Sequence, residues 1–232
     1  MTKPRIAIAI DGPAASGKSS TAKAIARTLG FRHVDSGALY RAATAARARQ
    51  GGDPSGWTEK SVLHAAASVS LTPTETGFTP LIGGEHAEAE MRNEAVTRSV
   101  SLVARMGGVR DWVNAQVRNA GSEHDVVVDG RDIGTVVFPD AAVKIFLIAD
   151  PAERAKRRLR ERLYRQPNDG EVAAETRRIL DRDDMDAAQS AMAADATVID
   201  TTSLRQAEQI ERIASLAREI IDRRSHPPSE PD

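Results

Sequence analysis

The sequence predicts an α/β fold in which a parallel sheet lies between two layers of helices. Two observations predict it. Short apolar runs typical of strands buried on both faces alternate with helical patterns along most of the chain. A glycine-rich turn also joins the first of these strands directly to a helix. Strands that alternate with helices pair in parallel, because each helix returns the chain to the same edge of the sheet.

The first part of the chain alternates strand and helix signals and changes character near residue 56. In order, its predicted elements are a strand at 5–11, a helix at 21–29, a strand at 31–34, a helix at 38–49, strands at 69–71 and 78–82, and helices at 94–103 and 109–119. The break at Gly51-Gly52-Asp53-Pro54 ends the second helix. Because the two later strands alternate like a hairpin, we interpret residues 56–106 as an insert outside the main sheet.

The strand and helix alternation resumes after residue 120. The remaining predicted elements are strands at 126–129 and 144–148, helices at 151–165 and 171–186, a strand at 197–200 and a last helix capped by Thr202 or Ser203. Asp150 is predicted to cap the helix that begins with Pro151. We expect one domain over 1–224, followed by a disordered proline-rich tail at 225–232. Its parts are a core at about 4–50, 107–150 and 196–222, the insert at about 56–106, and a helical lid at about 154–190.

Residues 12–19 read Gly-Pro-Ala-Ala-Ser-Gly-Lys-Ser and match G-x-x-x-x-G-K-[ST] at every position. The turn lies between a predicted strand and a predicted helix, as a phosphate-binding P-loop requires. Its N–H groups can hold phosphates, while Lys18 reaches the β- and γ-phosphates and Ser19 faces Mg²⁺. The alternative is a chance glycine-lysine turn. We therefore expect a nucleoside triphosphate to bind at Gly12, Pro13, Ala14, Ala15, Ser16, Gly17, Lys18, Ser19 and Ser20.

The composition is that of a soluble globular chain, with 41% hydrophobic and 28% charged residues. A formal net charge of −1 gives no general affinity for nucleic acid or for an anionic membrane. The sequence has no apolar run long enough to span a bilayer and no N-terminal signal sequence. The absence of cysteine excludes thiolate catalysis and fits a reducing compartment. We expect a cytoplasmic protein with no nucleic-acid or membrane partner.

The segment Asp35-Ser36-Gly37-Ala38-Leu39-Tyr40-Arg41 follows the second predicted strand directly. In an open parallel sheet this turn lies at the carboxyl edge, where ligands bind. Tyr40 and Arg41 then lie in the first turns of the next helix, where the Arg41 guanidinium can hold an acceptor phosphate with two hydrogen bonds. The alternative is a helix cap followed by a surface arginine.

A second cluster begins where an apolar strand ends in Asp129 and leads into a loop with Arg131 and Asp132. P-loop enzymes place a carboxylate that orients magnesium at such a strand end. Arg131 can grip a phosphate, and Asp132 can accept hydrogen bonds from a base. Because unpaired charges at the end of a buried strand are costly, these residues either face a ligand or form a structural Arg131–Asp132 ion pair.

A third cluster consists of arginines at four-residue spacing on the two helices around the break at 166–170. They are Arg154, Arg158 and Arg162 on the first helix and Arg178 and Arg182 on the second. Phosphoryl transfer requires positive charge around the moving group and exclusion of water, so we predict that the two helices form a closing lid. The alternative is a solvated hairpin held by pairs such as Arg177–Asp181.

The chain resembles bacterial cytidylate kinases over about residues 4–222. The segments that carry the resemblance are Ile10-Asp11-Gly12-Pro13, Asp35-Ser36-Gly37-Ala38-x-Tyr40-Arg41, Arg92 with Glu94-x-Val96, Ser101, Val109-Arg110, Asp129-Gly130-Arg131-Asp132-x-Gly134-Thr135-Val136-Val137-Phe138-Pro139 and Arg182-Asp183-x-x-Asp186. The segment from Asp129 to Pro139 is the most specific. The resemblance implies a three-layer P-loop kinase fold with a parallel central sheet, an enlarged monophosphate-binding insert and a short helical lid.

The resemblance also implies transfer of the ATP γ-phosphoryl group, with Mg²⁺, to CMP or dCMP, with UMP a poorer acceptor. By position, Ser36, Arg110 and Asp132 would contact cytosine, Arg41 and Arg131 the acceptor phosphate, and Ser101, Arg182 and Asp186 the sugar, with Tyr40 and Asp129 completing the acceptor site. Lys18, Arg131, Arg182 and the lid residue Arg158 would stabilise the transferring group. No protein nucleophile is implied. We expect a monomer, since an enzyme that closes around two nucleotides can do so as one chain.

The chain departs from the family after Asp186. Gln189 stands where the family has an arginine, and the Pro-Leu pair expected before the last strand is missing. A neutral amide forms weaker hydrogen bonds than a guanidinium. We therefore expect either a weakened CMP site or compensation by a lid arginine such as Arg178. If Gln189→Arg leaves CMP turnover and KM unchanged, this expectation is unfounded.

Two other functions stay open at this point. One is a P-loop kinase for another small acceptor, such as UMP or a non-nucleotide alcohol. The other is a nucleotide-binding regulator that has lost catalysis, which only Gln189 supports and which the retention of Lys18, Asp129, Arg131 and Arg182 disfavours. A GTPase switch is disfavoured because the sequence has no Asn-Lys-x-Asp motif. The five histidines lack metal-ligand spacing, so a metalloenzyme is not indicated.

Overall fold

The structure, a computed structural model, describes residues 5–225. Within this range the chain forms seven strands: β1 (Ala7–Asp11), β2 (Arg32–Asp35), β3 (Val69–Pro73), β4 (Phe78–Ile82), β5 (Val126–Gly130), β6 (Val143–Ile148) and β7 (Thr197–Asp200). Every predicted strand is confirmed, with ends that differ by no more than two residues. Apolar runs with clear boundaries thus placed the strands well.

The same range contains nine α-helices: α1 (Lys18–Leu29), α2 (Ser36–Ala48), α3 (Glu59–Ala66), α4 (Glu88–Met91), α5 (Glu94–Val103), α6 (Gly107–Glu123), α7 (Pro151–Leu163), α8 (Asp169–Asp186) and α9 (Gln206–Ser225). The short helices α3 and α4, within the predicted insert, are not anticipated by the sequence analysis. The helix α3 begins with a capping box in which Ser61, rather than the usual glutamate or glutamine, bonds back to Thr58. Because Ser61 departs from the usual capping-box pattern, the sequence signal for the start of α3 is weak.

The five-stranded main sheet has the order β2-β5-β1-β6-β7, and all of its pairs are parallel. The central strand β1 pairs with β5 through Asp11 opposite Gly130, and with β6 through Asp11 opposite Phe146. Because parallel strands end at the same edge, the P-loop after β1 meets the ends of β2 and β5. Asp35 and Asp129 lie opposite each other there.

Successive side chains of β1 point to opposite faces of the sheet, and each face packs against its own helical layer. Ile8 and Ile10 pack with residues of α1 and α9, whereas Ala9 packs on the other side with residues of α2 and α6. All three side chains are fully buried. This arrangement confirms the predicted three-layer fold with a parallel central sheet.

The strands β3 and β4 form a separate antiparallel pair. The turn between them touches the edge of the main sheet, where the His33 N–H donates to the Thr76 carbonyl oxygen at 3.2 Å. A Cβ on Gly77 would lie 2.6 Å from the His33 carbonyl oxygen, so the approach requires glycine. The hairpin is thereby held against β2, beside the edge at which the motifs meet.

Two helix starts differ from the prediction. The helix α1 begins at Lys18 instead of residue 21, because Gly17 adopts a left-handed conformation with φ of 89° and forms the N-cap. The predicted cap of α9 at Thr202 or Ser203 is wrong: α9 begins at Gln206, and Thr202 Oγ1 donates to Asp200 Oδ1 at 2.6 Å. Ser225, expected to begin the tail, is the last residue of α9. Residues 226–232 of the predicted tail lie outside the described residues.

Candidate active site

The P-loop turns from β1 into α1 with three residues at positive φ: Gly12 at 145°, Ala15 at 58° and Gly17 at 89°. A Cβ on Gly12 would lie 2.2 Å from the Leu147 carbonyl oxygen of β6, so this position requires glycine. Alanine rarely adopts the left-handed conformation, so the surroundings must hold Ala15 in place. The loop is thus fixed at the N-terminus of α1, where N–H groups favour an anion.

Lys18 turns back over the P-loop and donates from Nζ to the Pro13 carbonyl oxygen at 2.6 Å. Burial lowers the pKa of Lys18 well below its ordinary value, and the nearby positive charge of Arg131 lowers it further. Asp129 and Asp11 act in the opposite direction. An anion bound at the loop would raise this pKa again, so the lysine is placed to respond to a phosphate.

Asp129, near the end of β5, connects the P-loop to β2. Its Oδ2 accepts a hydrogen bond from Ser19 Oγ at 2.5 Å, and its Oδ1 accepts one from His33 Nε2 at 2.7 Å. Burial raises the pKa of Asp129, but His33, Ser19 and Lys18 together outweigh burial and hold the pKa below its ordinary value. A hydroxyl and an ionised carboxylate in contact fit Mg²⁺, which prefers oxygen ligands.

Asp11 holds the loop after β5 beside the P-loop. Its two carboxylate oxygens accept hydrogen bonds from the N–H groups of Ile133 at 2.9 Å and Gly134 at 2.8 Å. These residues begin a π-helical turn over Ile133–Val137 that the sequence analysis does not anticipate. Burial raises the pKa of Asp11 to about 6. Asp11 therefore positions the two loops that carry the predicted phosphate-binding residues.

Arg131 contacts both the P-loop and α8. Its Nη1 donates to the Gly12 carbonyl oxygen at 2.7 Å, and its Nη2 donates to Asp186 Oδ2 at 3.0 Å. Asp132 instead accepts a hydrogen bond from Arg110 Nη2. The structural Arg131–Asp132 pair considered as an alternative therefore does not form in the part of the chain that the structure describes.

Arg182 carries a buried side-chain donor at Nε. Its Nε has no hydrogen-bond partner among residues 5–225 and lies 3.7 Å from Asp186 Oδ2. Burial lowers the pKa of Arg182 to about 10, and the positive charge of Arg131 contributes in the same direction. Lys18, Arg131 and Arg182 thus form a group of cations that disfavour one another. An anion bound among them would remove this cost.

Part of the predicted acceptor site lies at the start of α2. Ser36 Oγ donates to the Asp129 carbonyl oxygen at 2.8 Å. Arg41 Nη2 donates to Asp35 Oδ2 at 2.8 Å, while Asp35 Oδ1 accepts the Ala38 N–H and caps α2. The helix cap of the alternative interpretation is therefore present, and the same carboxylate also orients Arg41.

The other predicted acceptor residues lie on α2, α5, α6 and the loop after β5. Burial raises the pKa of Asp132, and the charge of Arg110 offsets part of this effect. Burial also raises the pKa of Tyr40 to about 12, so its hydroxyl stays protonated. Ser101 is buried on α5. Arg110 and Asp132 together offer hydrogen-bond donors beside an acceptor, which suits the polar edge of a nucleobase.

Arg158 and Arg162, two of the predicted lid arginines, lie against Glu175 of α8. The buried Glu175 carboxylate lies 3.3 Å from Arg158 Nε, 3.5 Å from Arg162 Nη1 and 3.6 Å from Arg178 Nη1. These contacts are loose, since Glu175 Oε2 lacks a hydrogen-bond partner in the described chain. The structure thus places Arg158 between α7 and α8, and its catalytic role stays a prediction.

The remaining predicted lid arginine of α7, Arg154, reaches the P-loop. Its Nη1 donates to the Ala14 carbonyl oxygen at 3.0 Å and to Asp183 Oδ2 at 2.5 Å. The other oxygen of this carboxylate, Asp183 Oδ1, accepts the Ala14 N–H at 3.1 Å. Both α7 and α8 therefore contact the P-loop at Ala14.

Gln189 lies half-buried in a 3-10 turn over Ala187–Gln189, immediately after α8. Arg178, expected as a substitute for the missing arginine, lies against Glu175 with 70% of its side chain exposed. Compensation by Arg178 would therefore require this side chain to leave the Glu175 carboxylate.

Comparison with known proteins identifies the family. The family model for cytidylate kinase matches residues 8–219. The chain belongs to the cytidylate kinase family. A cytidylate kinase of Geobacillus kaustophilus is 44% identical over 224 residues, which cover 94% of this chain and 99% of that protein. One of Pelodictyon phaeoclathratiforme is 40% identical over 230 residues, which cover 93% and 96%. The resemblance predicted from the motifs is confirmed.

Several contacts of this cytidylate kinase site are not evident in the sequence. His33 is among the histidines set aside for lack of metal-ligand spacing, yet it bonds Asp129, which is 96 positions away. Within residues 5–225, no group of three or more histidine, aspartate or glutamate side chains could hold a metal ion by itself. None of the helices in this range is long and apolar enough to cross a membrane.

Proposed function

We propose that this chain transfers the γ-phosphoryl group of ATP to CMP or dCMP in pyrimidine nucleotide metabolism, giving ADP with CDP or dCDP. Membership of the cytidylate kinase family supports the reaction. One observation of the site supports it independently: Lys18, Arg131 and Arg182 converge between the P-loop and α8, and Arg182 Nε has no hydrogen-bond partner within residues 5–225. Two nucleotides with adjoining phosphates would supply the anions that this cluster lacks.

The donor nucleotide would bind at the P-loop, residues 12–20. Backbone N–H groups of the loop and the Lys18 ammonium would hold the phosphates of ATP. Ser19 and Asp129 would hold Mg²⁺ with ATP, and this oxygen donor set suits a hard cation. The ion would neutralise part of the charge on the phosphates of ATP.

The acceptor nucleotide would bind between α2, α6 and the loop after β5. Ser36, Arg110 and Asp132 would bind the cytosine by hydrogen bonds. Its amino group requires an acceptor, and its carbonyl group requires donors. Arg41 and Arg131 would hold its phosphate, since a guanidinium binds phosphate with two parallel hydrogen bonds. Ser101, Arg182 and Asp186 would surround the sugar.

In the transfer step, an oxygen of the CMP phosphate attacks the γ-phosphorus of ATP. The new oxygen–phosphorus bond forms as the bond from the γ-phosphorus to the bridging oxygen breaks, and ADP leaves with that electron pair. The protein contributes position and charge, because this chemistry needs no protein nucleophile. Lys18, Arg131 and Arg182 would stabilise the moving group, and Arg158 would join them after leaving Glu175.

A coupled assay of ADP release tests this function. ATP and Mg²⁺ are supplied with CMP, dCMP, UMP, AMP or GMP separately, and Lys18→Ala serves as the inactive control. Turnover with CMP and dCMP that Lys18→Ala abolishes would establish the proposal. ATP binding without turnover of any acceptor would overturn it in favour of a nucleotide-binding regulator. Selective turnover of UMP would indicate a kinase with another acceptor.

A further inference from the structure

The P-loop is attached to the lid at Ala14, through two residues to which the proposed reaction gives no role. The Ala14 N–H donates to Asp183 Oδ1 at 3.1 Å, and its carbonyl oxygen accepts from Arg154 Nη1 at 3.0 Å. Asp183 and Arg154 are themselves paired at 2.5 Å. One peptide carbonyl and one N–H of the phosphate-binding loop are therefore held by α7 and α8 together.

The contact is well enclosed. Arg154 is only 4% exposed, and its Nε donates to the Ala149 carbonyl oxygen at 3.1 Å. The Asp183 side chain is 21% exposed. Removing one partner of a buried ion pair leaves the other charge without compensation, which costs far more than the pair contributes when intact. Each residue of this pair thus depends on the other.

The position of Asp183 is unfavourable for anion binding by itself. A P-loop attracts phosphates through its N–H groups, whereas Asp183 accepts a hydrogen bond from one of these groups and so brings a negative charge against the loop. Arg154 lies against the same carboxylate and cancels that charge locally. The loop can therefore carry a lid carboxylate and still bind a polyphosphate only while Arg154 is present.

The attachment also determines where α8 lies. Asp183 directly follows Arg182, and one turn later Asp186 accepts from Arg131, which bonds the Gly12 carbonyl oxygen. The helix is thus connected to the P-loop at Ala14 directly and at Gly12 through Arg131. Arg182 lies beside the direct connection, so movement of Asp183 would move the Arg182 guanidinium.

We propose that Asp183 and Arg154 are positioning residues: Asp183 fixes α8 and Arg182 to the P-loop, and Arg154 cancels the Asp183 charge so that the loop still binds the phosphates of ATP. This inference rests on the proposed function, since ATP is the ligand of that reaction. The roles of Arg154 and Asp183 differ. Loss of Arg154 impairs ATP binding through an unpaired negative charge, whereas loss of the Asp183 contact impairs catalysis through Arg182.

Five variants of the full chain test the pair: Arg154→Met, Asp183→Asn, the double variant, Asp183→Ala and Asp184→Ala. Asp184 is the matched control, because it is the next residue of α8 and is exposed. ATP affinity is measured by titration calorimetry without acceptor, and kcat with CMP. Arg154→Met should weaken ATP binding at least about tenfold. Adding Asp183→Asn should return the affinity to within about threefold of the wild type, because the repelling charge is gone.

Asp183→Ala should lower kcat about tenfold or more with a smaller change in ATP affinity, because Arg182 is displaced. Asp184→Ala should change neither quantity. If Arg154→Met and the double variant lose the same amount of ATP affinity, Arg154 does not act by cancelling the Asp183 charge. If Asp183→Ala and Asp184→Ala have the same kcat, Asp183 does not position Arg182. If Arg154→Met does not fold, Arg154→Lys replaces it and should retain ATP affinity. If the wild type binds ATP but does not phosphorylate CMP, the proposed function fails, while the affinity measurements still decide the charge role.

Discussion

His33 and Ser19 bind the two oxygens of one carboxylate, that of Asp129. His33 Nε2 donates to Oδ1 at 2.7 Å from β2, and Ser19 Oγ donates to Oδ2 at 2.5 Å from α1. The imidazole therefore fixes the orientation of a carboxylate that lies beside the P-loop. A partner of this kind commonly tunes a metal site without touching the metal.

We expect His33→Ala to raise the Mg²⁺ concentration that activity requires. The carboxylate would lose one of its two side-chain hydrogen bonds, and loss of such a partner commonly lowers metal affinity about 10- to 100-fold. The measurement is the Mg²⁺ concentration at half-maximal ADP release with CMP. The exposed His64→Ala serves as control. An unchanged half-maximal concentration in His33→Ala would show that Asp129 needs no support from His33.

Asp11 makes the stability of the protein depend on pH. Burial raises its pKa to about 6 in the folded state, so the folded chain binds this proton more tightly than the unfolded chain. The stabilisation of the folded chain by the Asp11 proton is complete below the ordinary pKa of an aspartate, and it is lost as the pH rises through the folded-state pKa of about 6. From pH 5 to pH 7 this group alone should lower the free energy of unfolding by about 1 kcal/mol. Asp11→Asn should remove this component.

The measurement is urea unfolding of the wild type and Asp11→Asn at pH 5, 6 and 7. The free energy of unfolding of the wild type, minus that of Asp11→Asn, should fall by about 1 kcal/mol from pH 5 to pH 7. The exposed Asp140→Asn is the control and should follow the wild type at all three values. A constant difference between Asp11→Asn and the wild type would contradict the raised pKa.

The left-handed conformation of Ala15, with φ of 58°, predicts an unusual effect of glycine. Ala15→Gly should raise the free energy of unfolding by about 0.5 kcal/mol, because relief of the Cβ clash exceeds the greater freedom of glycine in the unfolded chain. The matched substitution Ala24→Gly, inside α1, should lower it by about 1 kcal/mol. Thermal unfolding of both variants measures whether each substitution raises or lowers the free energy of unfolding. Destabilisation by both substitutions would refute the strain at Ala15.

Glu175 is expected to hold α7 and α8 together through charge. Glu175→Gln keeps the shape of the side chain but leaves Arg158, Arg162 and Arg178 without their shared carboxylate. Because two of these arginines are more than half exposed, water compensates in part, and we expect a loss of about 1–2 kcal/mol of unfolding free energy. Glu161→Gln, an exposed change on α7, is the control. Equal unfolding midpoints for the two variants would show that the cluster contributes nothing.

Arg41 is expected to act on the acceptor alone. Arg41→Lys keeps the charge but loses the planar guanidinium, so the KM for CMP should rise about tenfold while the KM for ATP stays unchanged. Steady-state kinetics with each substrate varied in turn measures both constants. A parallel rise of both KM values would place Arg41 outside the acceptor site or indicate a general distortion.

The sequence was sufficient to predict the strands, the three layers and the P-loop, because apolar runs and glycine positions are local signals. It also placed Asp129 and Arg131 at the same sheet edge as the P-loop, since parallel strands end together. The hydrogen-bond partners of these residues were harder to predict from the sequence. Arg131 bonds Asp186 and Gly12, not its neighbour Asp132, and no spacing rule links positions so far apart.

The helices α7 and α8 illustrate why charge patterns alone do not give contacts. Four-residue spacing correctly placed Arg154, Arg158 and Arg162 on one face of α7. Their partners depend on how α7 and α8 are rotated against each other, which the sequence does not specify. The structure assigns Arg154 to Asp183 and the P-loop, but Arg158 and Arg162 to Glu175.

The strand order has a consequence for synthesis on the ribosome. Among the described strands, β1 pairs only with β5 and β6, and β2 pairs with β5. A growing chain therefore has no partner for its first strand until residues 126–130 have emerged. During that interval Ile8 and Ile10 lack β5, β6 and α9, with which they pack in the folded chain, and pairings this distant in sequence form slowly. The nascent N-terminal half should therefore be a client of ribosome-associated chaperones until the third strand of the sheet arrives.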